Sequence, residues 1–351
     1  MSDTLAGMAT DKETVMDARV NAQAMELLRE IDMIDRDTLE LRKEFQYKGC
    51  PFCGVDEGGY IENHQTRRAL FFKYKKCPRC LLVYPHPRPN KETLERYFSS
   101  DDFSRASDHG RSIDRAIKKR EDSRSAPVRA IRSVWRKTPL IYSYQEFTRY
   151  AKKGDRVLDV GAGLGHVAGR LLRKGCIVEA VELNPYRARY LRDNFGIKVH
   201  EGRFEDVALD DSSYDIILFS QVLIHLFSVK ATIEKVRRLL KDGGLMISSQ
   251  LNFNAIINRT VRSPYPGDGV NAFTMPSCFT EESMRRIMEL SGFRVIEVRY
   301  RPDSLFGYFF VGGYPGGVFW RMLLNGIDQV LKIALMATGT SNYFSVTARK
   351  A

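Results

Sequence analysis

The chain has 351 residues, of which 43% are hydrophobic, and this length is enough for roughly two domains whose cores need no disulfides. No apolar run approaches the ~20 residues that a membrane span needs, so no span is predicted. The formal net charge of +12 favours an anionic partner such as nucleic acid, a phosphorylated small molecule or acidic lipid, although a solvated basic surface explains it equally well.

The N-terminal part of the chain, residues 1–47, is predicted to be a helical segment. Residues 1–13 are polar and carry acids, so they do not resemble a secretory signal, and we expect a cytoplasmic protein. From Val15 to Phe45 there is no glycine or proline, and apolar residues recur at helical spacing. A helix packed on its own chain and a helix that joins two copies in a homodimer both fit this pattern.

Residues 48–88 are rich in cysteine, glycine, proline and aromatic residues, which predicts a small zinc ribbon. Its four cysteines form two C-x-x-C pairs separated by 23 residues: Cys50, Cys53, Cys77 and Cys80. Two such turns complete a tetrahedral site of four thiolates with no position left for a substrate, so we expect a structural zinc. Redox or unliganded cysteines are the alternative, and His64 and His86 are substitute ligands that the site does not need. Cys176 and Cys278 are interpreted as buried or incidental thiols.

Residues 89–150 predict a helical linker or cap, and strands alternate with helices from residue 151 onward. This alternation predicts an α/β fold with a doubly wound, mostly parallel sheet. The predicted strands cover residues 156–160, 177–181, 197–200, 215–219, 245–249, 293–300 and 343–348. The predicted helices cover residues 164–174, 185–195, 229–240 and 280–291.

A glycine-rich loop follows the first of these strands and opens a helix. It reads Asp159-Val-Gly-Ala-Gly-Leu-Gly165. Gly161, Gly163 and Gly165 let the backbone turn tightly and approach a ligand where a side chain would clash, and the helix N-terminus adds unpaired N–H donors. Dinucleotide sites share such a loop, so the glycines alone leave a dehydrogenase open.

Residues around the loop favour a methyl donor over a dinucleotide. Glu182 ends the second strand, 23 residues after Asp159, where a carboxylate can accept both ribose hydroxyls. Asp159 itself would repel a pyrophosphate but attract the cationic amino and sulfonium groups of S-adenosylmethionine. Ser220 and Gln221 come at the carboxyl end of the fourth strand, which is the edge at which open α/β sheets bind ligands.

Residues 154–249 resemble the class I S-adenosylmethionine-dependent methyltransferases. Val157–Gly165 is similar to their first motif, Asp215–Leu226 to their fourth, and Lys241-Asp-Gly-Gly244 to the turn before their fifth strand. The resemblance implies a Rossmann-like, seven-stranded sheet in the order 3-2-1-4-5-7-6, with only the seventh strand antiparallel.

The same resemblance implies a set of cofactor residues. Phe204 and Glu205 would flank the adenine, although many relatives carry an acid where this chain has Arg203. The residues expected to bind S-adenosylmethionine are Asp159, Gly161, Gly163, Gly165, Glu182, Leu183, Phe204, Glu205, Ser220 and Gln221. His225, just beyond the fourth strand, is the candidate general base, since methyl transfer often needs one.

Two insertions are expected over the same pocket, at about residues 250–279 and 301–342. Both open at the carboxyl edge of the implied sheet, which predicts a substrate lid or a partner surface. Within the second insertion, residues 318–336 are nearly all apolar apart from one narrow polar stripe. This pattern favours a helix buried against the domain over a membrane-surface helix or a dimer contact.

The segment from Cys77 to Pro89 resembles the zinc-ribbon front end of bacterial methyltransferases of sugar, glycan and natural-product pathways. The chain is therefore predicted to methylate carbon or oxygen on a sugar-like or other polar small molecule, such as a nucleotide-sugar or glycan. An RNA methyltransferase is the leading alternative, because zinc ribbons and basic charge suit RNA, although residues 54–76 lack a dense basic-aromatic stripe. A non-catalytic assembly subunit with the same fold is the third interpretation.

Overall fold

In a computed structural model, the described residues are 45–46, 49–61, 73–99, 144–255, 274–301, 327 and 330–351. The chain divides into two compact units, residues 1–46 and 47–351. Of the first unit only strand β1, Phe45–Gln46, is described, so the predicted N-terminal helices lie outside the described residues.

The second unit begins with a small antiparallel sheet of three strands. Its strands are β2 (Gly59–Tyr60), β3 (Lys73–Lys76) and β4 (Val83–His86), and β3 lies in the middle. A short strand, β5 (Arg88–Pro89), and helix α1 (Lys91–Ser99) follow it. The side chain of Asn90 accepts a hydrogen bond from the Thr93 backbone at 2.8 Å, which satisfies one of the unpaired N–H groups at the start of α1.

Seven strands form the main sheet of this unit: β6 (Arg156–Val160), β7 (Ile177–Glu182), β8 (Lys198–Glu201), β9 (Tyr214–Ser220), β10 (Leu240–Leu251), β11 (Phe293–Tyr300) and β12 (Tyr343–Lys350). They lie side by side in the order β8-β7-β6-β9-β10-β12-β11. The five strands from β8 to β10 pair in parallel, whereas β12 is antiparallel to both of its neighbours. Counted within the sheet, the order is 3-2-1-4-5-7-6, which confirms the predicted fold.

Helices cover both faces of the main sheet: α2 (Gln145–Thr148), α3 (His166–Arg173), α4 (Pro185–Phe195), α5 (Val229–Leu239) and α6 (Glu281–Leu290). Successive strand residues point to opposite faces, so Val157 packs in one core and Leu158 in the other. Helix α3 packs in the first of these cores, and α5 and α6 pack in the second. The segment that forms the small three-stranded sheet contributes Leu82 and Tyr84 to the core that contains Leu158.

Strand β10 is longer than the predicted residues 245–249, because it begins at Leu240. Its pairing with β9 shifts register between Leu240 and Leu245, where the Lys-Asp-Gly-Gly sequence lies. Side chains of β12 stabilise this irregular stretch: Lys350 donates to the Leu240 carbonyl at 2.7 Å, and Arg349 donates to the Gly243 carbonyl at 3.0 Å. The predicted turn is therefore incorporated into the strand.

The small three-stranded sheet is joined by backbone hydrogen bonds to the segment that precedes α6. Val83 and Cys278 form an antiparallel bridge, with N–H to carbonyl distances of 3.2 and 2.7 Å. The rings of Tyr74 and Phe253 lie beside this bridge with centroids 5.6 Å apart. The first predicted insertion is thus anchored at both ends, and its residues 256–273 lie outside the described residues.

The second predicted insertion is described only from its C-terminal part. Residues 330–337 are helical, as the sequence predicts, but the expected burial is wrong for three of the apolar side chains. Ile327, Val330 and Ile333 are 41%, 66% and 54% exposed, and their three-residue spacing places them on one side of the helix, turned away from the domain. Among the described helices, none is long and apolar enough to cross a membrane.

Candidate active site and cysteine cluster

A cavity of about 330 Å³ lies at the carboxyl edge of the main sheet, beside the ends of β6, β7 and β9. Helix α1 and the short 3-10 helix Leu223–His225 also contribute to its lining. All but one of the predicted cofactor and base residues line this cavity: Asp159, Gly161, Gly163, Glu182, Leu183, Phe204, Glu205, Ser220, Gln221 and His225. Gly165 is the exception.

Gly161 and Gly165 are required for different packing reasons. Both have a positive φ, +66° and +78°, which favours glycine. A Cβ atom on Gly161 would lie 2.5 Å from the side chain of Val222, which follows β9. A Cβ atom on Gly165 would lie 2.5 Å from the ring of Phe195 at the end of α4. Gly165 therefore permits close packing of α3 on α4, behind the cavity.

The Glu182 carboxylate is held at the loop by two backbone donors. Gly163 N–H donates to Oε2 at 2.8 Å, and Asn184 N–H donates to Oε1 at 2.9 Å. The residue is 6% exposed and lines the cavity. Because each carboxylate oxygen accepts more than one hydrogen bond, Glu182 keeps acceptor capacity for the hydroxyls of a ligand.

The carboxyl group of Asp159 is deeply buried and poorly hydrogen-bonded. The residue is 1% exposed, and no described residue donates an ordinary hydrogen bond to either carboxylate oxygen. Burial, followed by repulsion from Glu182, raises the pKa of Asp159 to about 8, and the Ala168 backbone opposes this shift. A buried, poorly hydrogen-bonded carboxyl group is costly, and a cation beside it would remove that cost. The site is thus suited to a positively charged ligand group.

The loop between β8 and β9 forms the side of the cavity at which adenine is expected. Phe204 is 2% exposed and packs edge-on against Phe219, with ring centroids 5.6 Å apart. Lys235 of α5 donates to the Phe204 carbonyl at 2.5 Å and lies over the Phe204 ring. Burial raises the pKa of Glu205. These contacts fix the backbone of the loop where it faces the cavity.

Gln221 has a strained backbone at the end of β9. Its φ is +60°, which is uncommon for a residue other than glycine and is often found at functional sites. Its backbone N–H donates to the Ser249 carbonyl at 2.8 Å, and its side chain donates to Ser249 Oγ at 3.4 Å. Hydrogen bonds to β10 therefore hold Gln221 and the preceding Ser220 at the cavity.

The imidazole of His225 has a defined tautomer. Its Nδ1 lies 2.7 Å from the Thr274 carbonyl, and because a carbonyl only accepts, Nδ1 carries the proton. Burial lowers the pKa of His225 to about 4, although the hydrogen bond to Thr274 opposes the shift. The ring is therefore neutral near pH 7, and Nε2 has an unprotonated lone pair to which no described residue is hydrogen-bonded.

Comparison with known proteins agrees with this geometry. Residues 134–298 match a family model described as a methyltransferase domain. A ubiquinone biosynthesis O-methyltransferase of Roseobacter denitrificans is 34% identical over 107 residues, which cover 29% of this chain and 43% of that protein. A sterol 24-C-methyltransferase of Gibberella zeae is 30% identical over 102 residues, which cover 27% of each chain. The chain thus spans less than half the length of these relatives.

We call residues 134–298 the methyltransferase domain, after the family model that they match. Among solved structures, a SAM-dependent methyltransferase from Archaeoglobus fulgidus aligns with 59% of this chain and 90% of its own, at 16% identity and a TM-score of 0.43.

Helix α1 lies before the methyltransferase domain in sequence but lines its cavity, and the sequence analysis missed this. Lys91, Leu94, Glu95 and Phe98 face the cavity at the spacing i, i+3, i+4 and i+7. That spacing marks one side of a helix, but this side mixes charged and apolar residues and so gives no clear signal of a core. Three further lining residues were also missed: Tyr144, His166 and Arg187.

The four predicted metal ligands converge outside the methyltransferase domain. The Sγ atoms of Cys50, Cys53, Cys77 and Cys80 all lie within 4.8 Å of one another. Cys50 and Cys80 are 3.3 Å apart, and Cys53 and Cys77 are 3.2 Å apart. A tetrahedral zinc with Zn–S bonds near 2.3 Å separates its sulfurs by about 3.8 Å, so the cluster fits zinc after small adjustments.

Both cysteine pairs lie in turns with the same backbone pattern. Cys50 N–H donates to the Val55 carbonyl and Cys77 N–H to the Leu82 carbonyl, each at 2.9 Å. The residue after each pair has a positive φ: +74° at Gly54 and +63° at Leu81. The hydrogen bond between Cys50 and Cys80 lowers the pKa of Cys50 to about 6 and raises the pKa of Cys80, so Cys50 is the first of the two to ionise.

The other candidate ligands lie apart from this cluster. His86 is hydrogen-bonded through Nδ1 to the Tyr60 hydroxyl at 3.0 Å, and it is not part of the group of converging sulfurs. His64 lies outside the described residues. Cys176 and Cys278 are free, buried thiols, as the sequence predicts.

Proposed function

We propose that the chain transfers a methyl group from S-adenosylmethionine to a hydroxyl-bearing small molecule, with His225 as the general base. The observation that carries the proposal is the poorly hydrogen-bonded carboxyl group of Asp159, buried in a cavity beside a glycine loop and a second acid. Two neighbouring acids attract a cation, and they disfavour the pyrophosphate of a dinucleotide. When bound, S-adenosylmethionine supplies an electrophilic methyl group on a cationic sulfur.

Different residues of the cavity would bind different parts of S-adenosylmethionine. Asp159 would attract the positive charge of the cofactor, and Glu182 would accept hydrogen bonds from its ribose hydroxyls. Gly161 and Gly163 let the loop backbone approach the ligand. The remaining predicted contacts hold the adenine and the edge of the site at the end of β9: Leu183, Phe204, Glu205, Ser220 and Gln221.

His225 acts on the acceptor. Its Nε2 lone pair would take the proton of an acceptor hydroxyl, and bound S-adenosylmethionine would supply the methyl group to that oxygen. A neutral ring with Nδ1 fixed on Thr274 is suited to this role. Seven of the relatives are named for O-methylation in ubiquinone biosynthesis, which supports an oxygen acceptor.

For the acceptor itself we propose a sugar-like or other polar small molecule with an apolar ring face. Aromatic side chains line the same cavity as His225, including Phe98 and Phe227, and they suit such a face. A sterol 24-C-methyltransferase among the relatives supports carbon as the alternative acceptor atom. A nucleotide-sugar acceptor, a homodimer and a cytoplasmic location stay predictions from the sequence.

The cofactor assignment is tested by calorimetry with S-adenosylmethionine. We expect binding by the native chain and a loss of at least tenfold in affinity for Glu182→Ala, since the variant lacks the ribose acceptor and the Gly163 anchor. Glu201→Ala is the matched control, because Glu201 is paired in register with Glu182 on β8 but lies outside the cavity. Unchanged affinity in Glu182→Ala would remove the assignment, and RNA binding with steep salt dependence would favour the RNA alternative instead.

We also propose that the cysteine cluster holds a structural zinc ion. Its support is the convergence of four sulfurs, three of them on buried residues, in one closed site. Four protein ligands leave zinc no open position, so the site is suited to stabilising the ribbon and not to chemistry.

A further inference from the structure

A buried contact between Arg88 and Phe227 holds the start of helix α1 beside the segment that contains His225. Arg88 of β5, three residues before α1, is 6% exposed. Its guanidinium donates to the Phe227 carbonyl at 3.2 Å and lies 4.9 Å from the centre of the Phe227 ring. Phe227 is two residues after His225. The start of α1 is therefore fixed relative to the candidate base.

Two ion pairs link the first half of α1 to the loop between β8 and β9, on another side of the cavity. Glu95 lies 3.3 Å from Arg203, and Lys91 lies 3.8 Å from Asp206. Arg203 also pairs with Asp206 inside the loop between β8 and β9. Half-exposed pairs of this kind stabilise little individually, but together they set the direction of α1 across the cavity.

The last turn of α1 reaches His225 directly. The ring centroid of Phe98 lies 4.8 Å from that of the His225 imidazole, at an angle of 58° between the planes. The imidazole thus contacts Thr274 through Nδ1 and Phe98 through its ring. Neither partner belongs to β9 or to the 3-10 helix that carries His225, so its orientation depends on two other elements.

We propose that Phe98 is a positioning residue that packs on the imidazole of His225, excludes water from it and fixes the direction in which Nε2 meets the acceptor. The inference rests on the proposed role of His225 as general base. It extends the active site beyond the methyltransferase domain, because Phe98 belongs to the helix that follows the ribbon.

Burial accounts for the low pKa of His225, which is consistent with Phe98 covering the imidazole. Burial is the main cause of its lowered pKa of about 4, and the Thr274 carbonyl is the only opposing cause. The charged groups that line the same cavity come from α1, β6, β7, α4 and the loop between β8 and β9: Lys91, Glu95, Asp159, Glu182, Arg187, Arg203 and Glu205. Since none of these is a cause of the shift, removing the covering ring should let the pKa rise.

The test is histidine NMR on the full chain. Long-range proton–nitrogen spectra of protein labelled at its six histidines report the tautomer and the pKa of each ring, and His225→Gln assigns the signal. In Phe98→Ala we expect the pKa of His225 to rise from about 4 toward its ordinary value of 6.5, with a mixture of tautomers. Phe98→Leu should give an intermediate pKa, and Phe98→Tyr should retain the native one. Arg96→Ala, an exposed position on α1, is the control.

The outcomes separate this inference from the proposed function. An unchanged pKa and tautomer in Phe98→Ala or Phe98→Leu, with native S-adenosylmethionine binding, overturns only the role of Phe98. A native chain that does not bind S-adenosylmethionine overturns the proposed function, whatever the spectra show. If Phe98→Ala does not fold, the Leu and Tyr variants still compare a smaller side chain with a retained ring.

Discussion

The carboxyl group of Asp159 links cofactor binding to pH. Its pKa of about 8 means that the unliganded protein holds a proton there at neutral pH. A cationic ligand binds the ionised form, so binding below pH 8 includes the cost of removing that proton. We expect the affinity for S-adenosylmethionine to rise up to about tenfold per pH unit from pH 6 to 8, and then to level off. Calorimetry across this pH range measures the slope.

The same carboxyl group affects folding with the opposite sign. Because its folded pKa is raised from 3.8, the stability that it contributes is fully present below pH 3.8 and is lost as pH rises through about 8.

Asp159→Asn is the control for the binding experiment, since an amide cannot ionise. We expect weak binding with no slope in this variant, and a flat profile in the native chain would contradict the assignment of Asp159.

Two glycines of one loop should respond differently to alanine. Gly165→Ala adds a Cβ 2.5 Å from the Phe195 ring at a φ of +78°, and both effects lower the free energy of unfolding, by about 2–4 kcal/mol together. Gly163→Ala meets no atom within 4 Å, so strain alone remains, at about 1 kcal/mol. Urea unfolding of both variants tests the difference, and equal losses would contradict the packing role of Gly165.

At the scale of elements, the sheet could be predicted because its strands have a strong local pattern. Arg156–Val160 and Phe293–Tyr300 match their predicted bounds, since each is a run of strand-forming residues ended by turn residues. Strand β10 could not be delimited, because the carbonyls of its first residues are satisfied by side chains of β12, about a hundred residues away. The sequence around Leu240 therefore does not indicate that the strand begins there.

The candidate site was predicted where it follows from one βαβ unit and missed where it depends on distant packing. Asp159, Glu182 and the glycines lie at fixed spacing around strand ends, so the fold brings them together. Phe98 reaches the cavity only because Arg88 and two ion pairs place α1 there. No periodicity in residues 91–99 indicates that contact. Sequence patterns therefore predict the helices and strands themselves more reliably than the contacts between them.

At the scale of the whole molecule, the proposed zinc ribbon (the small three-stranded sheet with its cysteine cluster) and the methyltransferase domain should unfold together. Cys50, Cys77 and Cys80 belong to the same buried core as Leu158 and Phe219 of the main sheet. Helix α1, which lines the cavity, follows this part of the chain directly in sequence. Loss of the proposed zinc should therefore destabilise the domain and weaken cofactor binding, although the cysteines lie outside the cavity.

Cys77→Ser tests this coupling, because it removes one ligand of the proposed zinc. Elemental analysis should find about one zinc per native chain and none in the variant, since three ligands and water hold the metal more weakly. Losing about 3–5 kcal/mol should lower the melting temperature by roughly 10 °C in a single transition. Affinity for S-adenosylmethionine should fall as well, because α1 then loses its support.

Cys176→Ser is the matched control for this prediction. Cys176 is a buried thiol in the other core of the sheet, apart from the cluster, so its variant should keep zinc. A first transition for the ribbon, followed by a domain that melts at the native temperature, would show that the two parts are independent. Native cofactor affinity in zinc-free Cys77→Ser would show that α1 keeps its place without the metal, because its contacts with Phe227 and Arg203 suffice.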